Sequence, residues 1–238
     1  MEGYQKLKDF VESNIEILKS GMSSGSENEF PKYDLFPINY LTFAEEELNM
    51  IKDPIQDREK INCILHLKRA LDCQLDIFFF TLGFNEFLKR KNLGINNKLQ
   101  FLQDVGVIKS RTIERFNKMR NKIEHHYHIP DIDDIEVYYD LISSLISNIE
   151  MIISSLYSEI IVNDIDEKYR VEIRYQANKV PSICYSINNC GEIFTYEVNI
   201  EEKQKEFTNI FKIYILLAKN NTASNHINDL YIKEMLRK

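Results

Sequence analysis

The sequence predicts a mainly α-helical protein, an antiparallel helix bundle carrying a small α+β region at its C-terminal end. Apolar residues recur at spacings of three and four through most of the first 165 positions. After about Asp166 the spacing drops to two in three successive runs. The composition, 44% apolar and 28% charged with few Gly and Pro, is that of an ordinary globular domain.

A first helix is predicted over Tyr4 to Lys19, where Leu7, Val11, Ile15 and Leu18 fall on one face. The Gly/Ser-rich stretch Ser20 to Asn28 reads as a flexible loop. Pro31 and Pro37 then carry an irregular aromatic segment (Phe30, Tyr33, Phe36, Tyr40) expected to pack down on the bundle. A long core helix runs from about Gln56 to Leu82, with a stripe of Ile61, Ile64, Leu65, Leu71, Leu75, Phe78, Phe79 and Leu82. A shorter helix near Asn97 to Val105 is terminated by Gly106.

Ser110 is placed to cap the next helix, which runs through Ile113, Phe116 and Met119 and is stopped by Pro130. Asp131, Asp133 or Asp134 can cap the last long helix, whose stripe is Tyr138, Leu141, Ile142, Leu145, Ile149, Ile152, Ile153, Leu156 and Ile160. Three strands follow: Val171, Ile173 and Tyr175; Ile183, Tyr185 and Ile187; Phe194, Tyr196, Val198 and Ile200. Asn188-Asn189-Cys190-Gly191 reads as a hairpin turn between the last two. Helices over Glu202 to Lys219 and roughly Asn225 to Leu236 close the chain. The expected divisions are 1–39 (helix and irregular loop), 40–165 (helical domain) and 166–238 (small α+β region).

Leu141 to Ile161, the longest apolar candidate for a membrane span, is interrupted by Ser143, Ser144, Ser147, Asn148 and Glu150, so no membrane association is expected. The N-terminal residues lack a basic region followed by an apolar one, and the expected compartment is the cytoplasm. Cys63, Cys73, Cys184 and Cys190 form no C-x-x-C. The first two read as buried thiols. The second two flank the turn with a spacing that allows pairing, which a reducing cytosol opposes.

A net charge of −7 argues against a general nucleic-acid coat. From Lys109 to Lys122 the balance reverses: Lys109, Arg111, Arg115, Lys118, Arg120 and Lys122 accompany one acidic residue, Glu114. A basic helix in an acidic protein suits a phosphate-facing surface, though a solvated face or a docking patch has the same composition.

That helix leads into Arg120-Asn121-Lys122-Ile123-Glu124-His125-His126-Tyr127. With nine Arg and five His in the chain, roughly 0.2 chance matches to R-x4-H are expected, falling to roughly 0.001 when the Asn and the Tyr are required. The string resembles the R-x4-6-H signature of the HEPN superfamily, with the Asn that follows the Arg in many active members. Its longer form, Arg120-x4-His125-x-Tyr127, resembles the toxin of HEPN–nucleotidyltransferase toxin–antitoxin pairs. The helix order over about residues 40–165 is similar too, whereas the first 40 residues and the last 70 depart from the shorter HEPN toxins.

The resemblance implies a HEPN-like bundle and metal-independent cleavage of an RNA substrate, with no cofactor. His125 would move protons at the ribose 2′-hydroxyl or the 5′-oxygen, Arg120 would hold the scissile phosphate, and Asn121 would orient His125 or bind phosphate. Arg111, Arg115, Lys118 and Lys122 would track the RNA backbone. Tyr127 matches the residue modified with AMP in the toxin–antitoxin subgroup. At 100° per residue, Arg120 and His125 lie about 140° apart on a straight helix, so their convergence requires a bent helix end or a facing second copy. The second option, a homodimer with a composite cleft, is the one the family implies. A cognate antitoxin or regulator is a further implied partner.

Other readings share these residues. Arg120 and Glu124, four apart, suit a surface ion pair. His125, His126 and His128 with Asp131 or Asp133 are metal-ligand types, but adjacent histidines on one helix diverge. Tyr127 equally suits a helix-end residue packed on the bundle, and the whole domain suits a catalytically inactive nucleotide-binding or assembly module.

Overall fold

The computed structural model describes residues 2–15, 22–24, 29–50, 57–91, 94–109, 111–112, 114–115, 117–118, 121, 129, 131–156, 158–164, 166–222 and 229–237. The fold is mainly α, with an antiparallel sheet formed chiefly by the C-terminal region. Helix α1 covers Glu2–Ser13, α2 Pro37–Met50, α3 Asp57–Thr81, α4 Asn85–Lys91 and α5 Ile95–Asp104. Residues 111, 112, 114, 115, 117, 118 and 121 are helical as well. Helix α6 covers Ile132–Ser155, α7 Gln204–Thr222 and α8 Asp229–Arg237.

Helix α2 was not foreseen in the aromatic segment after Pro31. Pro37 sits at its first position, where a missing amide proton costs nothing. Asn39 closes the start, its Oδ1 accepting from the Phe36 amide at 2.8 Å. Helix α2 lies antiparallel along α3, as shown by Asn62 Nδ2 donating to Glu47 Oε1 and by Phe43 against His66 at 5.5 Å. The buried face of α3 runs through Cys63, Ile64, Leu67, Ala70, Leu71, Leu75 and Phe78. Ile61 and Leu65, expected in that stripe, are 44% and 49% exposed because they project from the opposite side.

Strands β1 (Met22–Ser24), β2 (Glu159–Asn163), β3 (Tyr169–Gln176), β4 (Ser182–Asn189) and β5 (Glu192–Asn199) form one sheet in the order 1-2-3-4-5, every neighbour antiparallel. Two segments differ from expectation. Met22 to Ser24, read as loop, pair with Ile161 to Glu159, because the free edge of β2 offers backbone partners whatever the side chains. Ile160, read as the end of a helical stripe, lies on β2. Helix α6 stops at Ser155, Leu156 turns extended (φ −84°, ψ 124°), and Ile160 and Val162 then point to one buried face.

The β4–β5 hairpin has the anticipated two-residue turn, with Cys190 (φ 52°) and Gly191 (φ 95°) both left-handed. Cys184 lies within β4 and Cys190 in the turn at its end, six residues further along the chain, so roughly 20 Å separates them and they cannot pair.

Helix α7 is the centre of the C-terminal region. Phe207, Ile210, Phe211, Ile213, Tyr214, Ile215, Leu216, Leu217 and Ala218 are all buried, the pattern of a helix covered on nearly every side. Strands β1, β2, β4 and β5 contact it, as does α1, and Tyr175 of β3 stacks on its Tyr214 at 5.5 Å. An aromatic cluster continues this core into the bundle: Phe84 meets Phe207 at 6.0 Å and Phe211 at 6.1 Å, and Phe101 meets Phe211 at 6.0 Å. The Tyr175 hydroxyl donates to the Leu82 carbonyl at 2.5 Å, and Arg90 pairs with Glu201 across the same boundary.

Candidate nucleic-acid interface

The basic helix is launched by a left-handed glycine. Helix α5 ends in a Schellman turn, with Gly106 (φ +76°) donating to the Gln103 carbonyl and Val107 to the Leu102 carbonyl. Leu102 and Val107 are both buried, and Asn148 of α6 fixes the turn by donating to the Val107 carbonyl at 2.8 Å. Thr112 then donates to the Lys109 carbonyl at 3.0 Å, opening the helical residues that follow.

Lys109, Arg111, Arg115, Lys118 and Asn121 are exposed. Helical spacings of four and three put Arg111, Arg115 and Lys118 on one side, within about 60° of arc. Glu114 is the acidic neighbour anticipated from the sequence and is also exposed. Arg120, Lys122, His125 and Tyr127 lie outside the described residues, as do Ser110, His126, His128 and Pro130. The geometry of the R-x4-H string therefore enters only through Asn121, which is helical and faces solvent. Asp131 takes the N-cap position of α6 without a side-chain cap bond.

A cleft of about 980 Å³ opens beside the start of this helix. Lys109 and Arg111 line it from the start of the basic helix and Lys205 and Lys212 from α7, with Gly106 and Met235 also in the lining. Asp104 and Glu234 are its acidic members. Lys205 and Lys212 were missed because roughly a hundred residues separate them from the basic helix. One signal was present in the sequence: between Glu206 and Lys219, Lys212 is the only charged residue of a strongly apolar helix.

The remaining titratable groups offer less chemistry. Burial, with Glu47 nearby, pushes the Cys63 thiol up to about 12. Burial, with Asp76 nearby, pushes Cys73 up to about 11. Both stay protonated and poorly nucleophilic at neutral pH. Cys63 is fully buried as expected, whereas Cys73 is only half-buried. Among the described residues no group of three or more His, Cys, Asp and Glu could hold a metal ion. No described helix is long and apolar enough to cross a membrane. No protein-family model, no curated protein and no solved structure matches this chain.

Proposed function

We propose that the chain is a metal-independent endoribonuclease of the HEPN type, acting as a toxin or anti-phage defence effector under the control of a cognate antitoxin or regulator. The observation that carries this reading is the exposed cationic side of the helix leading into the R-x4-H string: Arg111, Arg115 and Lys118 meet solvent together, with Asn121 following.

In the proposed reaction one imidazole takes the proton of the ribose 2′-hydroxyl, and that oxygen attacks the adjacent phosphorus. The P–O5′ bond breaks, and the departing 5′-oxygen receives a proton. The products are a 2′,3′-cyclic phosphate and a 5′-hydroxyl. An imidazole near its ordinary pKa suits both transfers. The Arg120 guanidinium would hold two phosphate oxygens and offset the charge that grows on them.

The test is incubation of purified protein with RNA in EDTA, alongside Arg120→Ala and His125→Ala. Cleavage to cyclic-phosphate ends is expected, falling by about 10²–10⁴ in His125→Ala. Activity that vanishes in EDTA and returns with a divalent ion would sink the metal-free mechanism. Undiminished RNA binding without cleavage by the wild type would instead leave a non-catalytic HEPN module.

A further inference from the structure

Helix α7 carries one ammonium group, Lys212, in a run of residues that is otherwise uncharged from Phe207 to Ala218. Lys212 is flanked by buried Phe211 and Ile213, is itself half-buried, and its stem passes over Gly106. A charge so placed is tolerated when the stem lies on apolar surface and the head reaches a polar exit. That exit is the cleft beside the basic helix, where Lys212 joins exposed Lys205, Lys109 and Arg111. Four cations against Asp104 and Glu234 give this cleft an excess of positive charge in a chain of net charge −7.

We propose that Lys205 and Lys212 form the second wall of a single-stranded RNA channel whose first wall is Lys109 and Arg111. The inference rests on the ribonuclease reading and assigns the C-terminal region a part in holding substrate. The lining also supplies amides and a hydroxyl (Gln103, Gln204, Thr208, Asn209), and Tyr4 contributes an aromatic ring. Cations with neutral hydrogen-bonding groups and an aromatic ring are the elements of a groove that tracks a nucleic-acid strand. Asn121 lies ten residues beyond Arg111, about 15 Å along a helix, so the cleft would grip the strand away from the bond being cut.

The test uses the full chain carrying His125→Ala, so that binding is read without cleavage. Anisotropy of a labelled oligouridylate is followed across a salt series for this parent, for added Lys205→Gln/Lys212→Gln, for Lys205→Gln alone and for Arg111→Gln/Arg115→Gln. Lys179→Gln, on an exposed loop, is the control. The double lysine variant is expected to bind roughly tenfold or more weakly at 0.1 M salt. Its log–log salt slope should fall by about 1.4, and that of Lys205→Gln by about 0.7. Because Lys205 is exposed, its single variant reports even if loss of Lys212 disturbs packing. Full binding by both lysine variants with loss in Arg111→Gln/Arg115→Gln overturns the second wall and leaves the ribonuclease reading intact. No RNA binding by the parent overturns both, and preference for polyglutamate over RNA overturns the RNA assignment.

Discussion

Glu206 is 3% exposed, yet it is held as a carboxylate. Burial pushes its pKa up, and hydrogen bonds from the Tyr196 hydroxyl at 3.0 Å and the Tyr4 amide at 3.3 Å are among the contacts that bring it below the ordinary 4.5. The Lys203 ammonium stands 3.9 Å away. A depressed folded-state pKa means that the unfolded chain binds more protons near pH 4.5. The stabilisation is therefore present above that pH and is lost as pH falls through the folded value. Glu206→Gln is expected to lower urea-unfolding stability at pH 7, with the gap to wild type shrinking on acidification below about 4.5. A constant gap from pH 7 to pH 3 would show that the carboxylate's charge contributes nothing. Tyr175 offers a second residue-scale measurement. Its hydroxyl satisfies the Leu82 carbonyl, so Tyr175→Phe should cost about 1–3 kcal/mol in the same assay.

Two helix ends share one device and predict a graded mutational series. Gly83 and Gly106 close α3 and α5 in Schellman turns at φ +71° and +76°. A Cβ on Gly83 would stand 2.9 Å from the backbone of Ala177, which cannot move without shifting β3, whereas a Cβ on Gly106 would meet the flexible end of Met235. Gly191 has the same left-handed demand, with nothing within 4 Å. Thermal melts should therefore rank Gly83→Ala as most damaging, then Gly106→Ala, then Gly191→Ala at about 1 kcal/mol. An equal loss in all three would mean that backbone strain alone sets the cost. At this scale the sequence was most informative where periodicity is long and uniform: α3, α6 and the three C-terminal strands stand within a few residues of expectation, apart from the Ile160 end of α6. It was least informative for α2 and α4. Asn39 replaces the usual Glu or Gln in closing the start of α2, and Asn85–Lys91 shows a single buried side chain, Phe87, too few for a periodic signal. Strand β1 carries no pattern because its partner's free edge, not its side chains, selects it. The cationic side of the basic helix was legible because Arg111, Arg115 and Lys118 are near in sequence; its counterpart on α7 exists only after packing.

At the level of the whole molecule, the aromatic cluster of Phe84, Phe101, Phe207, Phe211 and Tyr175 makes one core of the bundle and the C-terminal region. Phe84→Ala, at 1% exposure, should cost about 3–5 kcal/mol and weaken both together in a single unfolding transition; two resolved transitions would mean that the parts are stable independently. The proposed chemistry can be assembled in two ways. Arg120 and His125 diverge by about 140° on a straight helix, so either the helix end bends and one chain supplies both, or each chain supplies one across a two-fold axis. Mixing two inactive proteins separates these. If the site forms within one chain, neither Arg120→Ala nor His125→Ala contains a complete pair, and their mixture stays inactive. If the site is shared, a heterodimer still places one intact Arg120 opposite one intact His125, and random exchange makes about half of all dimers of that kind. Cleavage in the mixture should then recover to a substantial fraction of wild type, rising with protein concentration, while each variant alone remains inactive. A mixture as inactive as its components, at concentrations where ultracentrifugation shows dimer exchange, would reject the composite cleft in favour of the bent helix end.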